Sequence, residues 1–105
     1  MTLALIVTHV LKPGHEEAFD ALVLRTLEGI RAHEPTTLVY VSHTDEAEPR
    51  HRIFYELYAD RAAFEAHERH EHVRAFLTER LEHVESVDVT FLDAVMGTTL
   101  PTTLP

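Results

Sequence analysis

The sequence contains no cysteine, no tryptophan, three glycines and a single lysine, Lys12. Without cysteine there is no disulfide, no thiolate nucleophile and no cysteine-ligated zinc or iron–sulfur centre. Basic side chains are scarce, nine against 18 acidic ones, giving a formal net charge of −9. Phosphate backbones require a basic stripe, so nucleic acid is excluded as a partner. No apolar run approaches the ~20 residues that a membrane-crossing helix needs. The apolar opening MTLALIVTHVLKPG carries neither a positive leader nor a small-residue cleavage site. It is expected to be a buried strand of a cytoplasmic protein with no membrane partner.

What is present is ordinary for a small globular domain. Apolar residues make up 45% of 105 positions, enough for one core. Residues 2–11 are apolar on both alternating sets, with Leu3, Leu5 and Val7 on one and Ala4, Ile6 and Val10 on the other. A strand of this kind has to be covered on both faces. Lys12-Pro13-Gly14 breaks it, and His15 to Ala32 follow at helical spacing, with Phe19, Leu22, Val23, Thr26, Leu27 and Ile30 along one stripe. Glu34-Pro35 stops that helix, because a residue before proline avoids the helical region. Thr37 to Thr44 is β-branched and aromatic, a second strand. Residues 45–51 are expected as a polar hairpin loop, and 52–58 as the third strand.

The stretch from Arg52 to Leu77 holds most of the candidate chemistry. Asp60 is placed to cap a helix beginning at Arg61. Phe64 and His67 then share one helical face, whereas Val73, Phe76 and Leu77 lie about 100° or more away from it. One straight helix cannot bury both sets, so the spacing predicts two short helices with a break near Glu68–Glu71. Val84 to Val95 reads as a fourth strand. The order strand–helix–strand–strand–helices–strand is the split βαβ pattern, an α+β, ferredoxin-like fold with a four-stranded antiparallel sheet. Helices cover only one face of such a sheet, and a second copy of the chain is the economical cover for the other. Residues 1–96 are expected to form one domain, followed by an extended Gly/Thr/Pro tail at 97–105.

Three blocks carry a resemblance: Leu11-Lys12-Pro13-Gly14-His15-Glu16-Glu17-Ala18-Phe19; Glu34-Pro35-Thr36-Thr37-Leu38-Val39-Tyr40; and Tyr55-Glu56-Leu57-Tyr58-Ala59-Asp60 with Ala63-Phe64, His67, His72 and Ala75-Phe76. Together they span roughly residues 3 to 95, and the third is the most specific. On them the chain resembles the antibiotic biosynthesis monooxygenase family, in its quinol monooxygenase-like subgroup. That resemblance implies a dimeric α+β barrel with a pocket between sheet and helices in each subunit. For some members it also implies oxidation of phenols or hydroquinones by O₂ without metal or flavin. The chain departs from the family in having Thr36 where glycine is common. The haem-degrading relatives carry a helix tryptophan and, about ten residues later, a haem-ligating histidine. Those places are held here by His67 and Leu77, so haem is not expected.

His67 is the candidate general base, with an imidazole suited to proton transfer near neutral pH; the alternative is a core histidine bonded to a backbone carbonyl or to Glu56. Glu56 and Tyr58 project from one face of the third strand. If that face meets the helices, they are expected to orient His67; if it meets a partner, they form an interface cluster. His9, His72, Phe64 and Phe76 are the candidate substrate contacts. His67, His70 and Glu71 have metal-ligand spacing, but the expected helix break at that turn speaks against a site, and no metal and no cofactor are expected. The partners expected are a small aromatic substrate with O₂ and a second copy of the chain. Two other functions fit the same residues: a small-molecule binding or stress-associated dimeric domain without turnover, and an isomerase of a small polar metabolite. Arg52 and the charged pairs of the helices read as solvated ion pairs.

Overall fold

A computed structural model describes residues 2–98. Within it the chain runs β1 (Leu3–Leu11), α1 (Glu16–His33), β2 (Thr37–Asp45), β3 (Glu48–Tyr58), α2 (Arg61–Arg69), α3 (Glu71–Glu79), a 3-10 turn (Arg80–Glu82) and β4 (Val84–Asp93). The sheet order is β2-β3-β1-β4, with every neighbouring pair antiparallel. This is the ferredoxin-like arrangement, with the helices on one face. Of the expected tail, residues 99–105 lie outside the described residues.

Local chemistry accounts for each boundary. Gly14, at φ +83°, makes the turn that proline begins, in a region open to glycine and costly for other residues. Helix α1 carries Glu16 and Glu17 in its first turn and Arg31 and His33 in its last, the signs that the helix dipole favours. It buries Phe19, Leu22, Val23, Thr26 and Ile30, the expected stripe except that Leu27 is only partly buried. The Asp60 carboxylate caps α2 by accepting from the Ala63 amide at 2.8 Å. The break between α2 and α3 falls at His70, whose backbone is extended (φ −68°, ψ 141°). It lets α2 bury Phe64 and His67 while α3 buries Val73 and Phe76.

The β2–β3 connection differs from expectation. Residues 45–51 are not a loop, since pairing continues to Asp45↔Glu48 and only Glu46 and Ala47 lie between the strands. The Asp45 side chain accepts from the Ala47 amide at 2.9 Å, so a polar stretch folds a tight turn around one carboxylate. Pro49 lies beyond the last β1–β3 pair, Val10↔His51, where its missing N–H removes no bond to β1. Arg52 is also not a solvated side chain. It is 7% exposed, and its Nε and Nη2 donate to the two carboxylate oxygens of Asp20 at 2.9 and 3.1 Å, tying β3 to α1.

Strand alternation sets the two faces of the sheet. Leu3, Leu5, Val7, His9 and Leu11 of β1, with Arg52, Phe54, Glu56 and Tyr58 of β3, are buried beneath the helices. The core is centred on Phe19, Phe54 and Phe76, whose rings meet at 5.9–6.1 Å. The opposite face carries Ile6, Val10, Ile53, Tyr55 and Leu57, all only partly buried, with Val41 and Leu92 exposed. No helix of the described residues is long and apolar enough to cross a membrane.

Candidate active site

A cavity of about 210 Å³ opens between the sheet and α2–α3. Its floor is Leu5 and Val7 of β1 with Val89 and Phe91 of β4, and Phe64, Phe76 and Leu77 come from the helices. Its polar lining is Tyr40, Glu56, His67, Glu68 and Arg80. A mainly apolar hollow with few convergent polar groups is the usual form of a small-molecule site.

His67 stands in the last turn of α2, 4% exposed, against the rings of Tyr58 (5.0 Å between centroids) and Tyr40 (5.5 Å). Its Nδ1 lies 2.6 Å from Oε1 of Glu34, the residue that closes α1. Glu34 is itself buried and held on both oxygens. Thr37 Oγ1 donates to Oε1 at 2.7 Å, and His72 Nε2 meets Oε2. Burial pushes the Glu34 carboxyl up, but the bonds from His67, Thr37 and His72 outweigh it and hold the group below its ordinary value. An ionised carboxylate only accepts, so both imidazoles donate to it. His67 is therefore protonated on Nδ1, and the lone pair of Nε2 is left for the cavity. Burial draws the His67 pKa down and the Glu34 carboxylate only partly restores it, leaving a neutral ring at neutral pH.

Glu56 and Tyr58 do face the helices, but they do not orient His67. Two residues apart on β3, they bond to each other, with the Tyr58 hydroxyl donating to Glu56 Oε1 at 2.6 Å. Burial pushes Glu56 up to about 7, against the lowering effects of Tyr58 and Arg80. Burial likewise raises the hydroxyls of Tyr58 and Tyr40 far above their ordinary range, so neither is a phenolate at neutral pH.

Of the expected substrate contacts, Phe64 and Phe76 line the cavity. His72 does not. It lies on the outer side of Glu34, with the His70 ring stacked at 5.0 Å, and packs so closely over Gly29 of α1 that a Cβ there would overlap the imidazole. A glycine inside a helix otherwise costs about 1 kcal/mol against alanine, and here it makes room for this ring. His9 also stands off the cavity, fully buried behind Arg80. Among the described residues no group of His, Asp and Glu side chains has the arrangement of a metal site.

The residues missed by sequence reasoning are Glu34, Tyr40 and Arg80. In the sequence Glu34 stands out as the stop of a helix and as part of a family block, not as a partner of His67. A signal was available: an acidic side chain at a helix C-terminus opposes the dipole and calls for donors from elsewhere.

The family model for antibiotic biosynthesis monooxygenases matches residues 2–79. No curated protein matches the sequence. Among solved structures the chain is similar to a protein from Bacteroides thetaiotaomicron provisionally named an antibiotic biosynthesis monooxygenase, at 21% identity, TM-score 0.85, and coverage of 95% of this chain and 96% of that one. A Caulobacter crescentus protein with the same provisional name shares 23% identity, with TM-score 0.85 and 90% and 91% coverage. A Pseudomonas aeruginosa protein shares 27% identity, with TM-score 0.81 and 90% and 95% coverage.

Proposed function

From the premise that the chain belongs to the antibiotic biosynthesis monooxygenase family, we propose that it oxidises an aromatic phenol or hydroquinone with O₂, with His67 as general base and no cofactor. The observation that carries this reading is the His67–Glu34 bond at the wall of an aromatic-lined cavity. Glu34 fixes the tautomer and stabilises the imidazolium formed when Nε2 takes the hydroxyl proton of the ring. The phenolate then gives one electron to O₂, and the aryloxyl radical and superoxide combine at a ring carbon bearing hydrogen. The peroxide takes its proton back from His67, and loss of the ring C–H proton with O–O cleavage releases water. One phenol and one O₂ thus give one quinone and one water. Glu56, held by Tyr58, is the second proton-exchanging group in the cavity, and Phe64 and Phe76 are the ring contacts.

Oxygen uptake with a panel of hydroquinones and phenols tests this. The parent consumes O₂ with at least one of them, and His67→Ala lowers that rate about a hundredfold, the usual size of a general-base contribution. Equal rates in parent and variant would remove His67 from its role.

The partly buried apolar side chains on the far face of the sheet support a homodimer formed sheet to sheet. Sedimentation at micromolar concentration should give twice the 12.0 kDa chain mass; a monomer would contradict it.

A further inference from the structure

Arg80 is the only arginine on the cavity wall among the described residues, and its environment is incomplete. It opens the 3-10 turn after α3, just beyond the residues that the family model matches. Its Nη1 lies 3.1 Å from His9 Nε2, and its guanidinium carbon is 5.7 Å from the centroid of the Phe76 ring. Its Nε is buried with no hydrogen-bond partner. Among the described residues no carboxylate lies within 4.0 Å of it, although Arg25, Arg50 and Arg52 each have such a partner. A partly buried cation without a counter-ion is costly, and structures keep one where something else supplies the negative charge.

His9 explains how the guanidinium is held. The ring is fully buried between Phe19 (5.1 Å) and Phe54 (4.7 Å), with Nδ1 3.4 Å from the Arg52 carbonyl oxygen. With Nδ1–H toward that carbonyl, Nε2 accepts from Arg80. A neutral acceptor fixes the plane of the guanidinium without cancelling its charge. The bond occupies Nη1 and leaves the Nε–Nη2 edge, on which a guanidinium takes a carboxylate through two parallel bonds.

We propose that Arg80, positioned by His9, is an anion subsite of the cavity, and that the ligand is an aromatic ring bearing a carboxylate. This names the substrate class within the phenol-oxidation reading. The apolar walls at Leu5, Val7, Phe64 and Phe91 take the ring, and Arg80 takes its acidic substituent. A carboxylate fits better than the phenolate oxygen, because it is already ionised on entry, whereas the phenolate arises only after His67 has taken the proton. Two carboxyl groups also face the cavity. Glu68 is exposed at its edge, and Glu56, more than 4.0 Å from the guanidinium, accepts the Tyr58 hydroxyl.

Calorimetry under anaerobic conditions, where no oxidation proceeds, tests the subsite with 2,5-dihydroxybenzoate against hydroquinone. The parent is expected to bind the carboxylated ring at least about tenfold more tightly, the lower end for a charge-assisted contact. Arg80→Gln abolishes the preference, and His9→Phe weakens it. Equal affinities in the parent, absence of binding by the carboxylated ring, or an unchanged preference in Arg80→Gln overturns the proposal. Should Arg80→Gln not fold, ¹⁵N spectra of the parent give the same decision. The carboxylated ring then shifts the Arg80 Nε–H resonance and hydroquinone does not; no shift with either overturns the subsite. Preference without oxygen uptake leaves the subsite standing and removes the oxidation reading, and oxygen uptake without preference does the reverse.

Discussion

Glu34 and Glu56 are both 6% exposed, both sit beneath the helices, and they end in opposite states. Glu34 receives donors from three side chains on three elements, His67 of α2, His72 of α3 and Thr37 of β2, and stays ionised. Glu56 receives one, from Tyr58 on its own strand, and burial lifts it to about 7. Burial penalises both charges, Glu56 lying the deeper, and the donors each receives set how much of that penalty is offset. The pair therefore differs in state: a fixed anion that orients the His67 ring, and a carboxyl that can gain or lose a proton near neutral pH.

Removing the fixed anion should have the largest effect. Glu34→Leu leaves two imidazoles and a hydroxyl without their acceptor, and chemical denaturation should show a loss of about 3–5 kcal/mol, the usual cost of breaking a buried charged network. A loss below about 1 kcal/mol would mean that the three donors find water instead.

The second test separates Glu56 from His9 by pH. The folded pKa of Glu56 is raised from 4.5 to about 7, so its contribution to stability is present below pH 4.5 and is lost as pH rises through 7. His9 moves the other way. Burial, assisted by Arg80, lowers it from 6.5 to about 4, so its contribution is present above pH 6.5 and is lost as pH falls toward 4. Each amounts to roughly 3 kcal/mol across its window, and the two oppose each other between about pH 4.5 and 6.5. Glu56→Gln should therefore gain stability relative to the parent as pH rises from 4.5 to 7. His9→Phe should gain relative to it as pH falls from 6.5 to 4. Melts of the three proteins across this range check both signs, and parallel curves would refute the opposition.

The smallest effect tests donor counting directly. Tyr58→Phe strips Glu56 of its one hydrogen bond, and the Glu56 pKa should rise further above 7 in a ¹³C-detected titration. The stability cost should be about 1 kcal/mol. An unchanged or lower pKa would show that the hydroxyl does not stabilise the charged form.

Much of the frame was legible because it follows from local rules. The two-faced apolar strand at Leu3–Leu11, the stripe of α1, the Asp60 cap and the helix break are consequences of period and capping, and all appear within a residue or two of expectation. The polar run 45–51 misled, because one side-chain acceptor at Asp45 is enough to close a tight turn and keep the strands paired. At the site, alternation on β3 put Glu56 and Tyr58 on one face, and helical spacing put His67 beneath α2. Neither rule says which carboxylate meets which imidazole. Glu34 and His67 are 33 positions apart, and they meet only because α1 ends where α2 ends.

By itself, then, the sequence determined the elements, their order and the inward direction of most functional side chains, since periodicity and propensity act over a few residues. Tertiary structure alone decided the pairings: His67 with Glu34, Glu56 with Tyr58, and Arg80 with His9. Hydrogen bonds form between atoms about 3 Å apart, and the distances between distant elements are set by packing of the whole core, which no local pattern encodes.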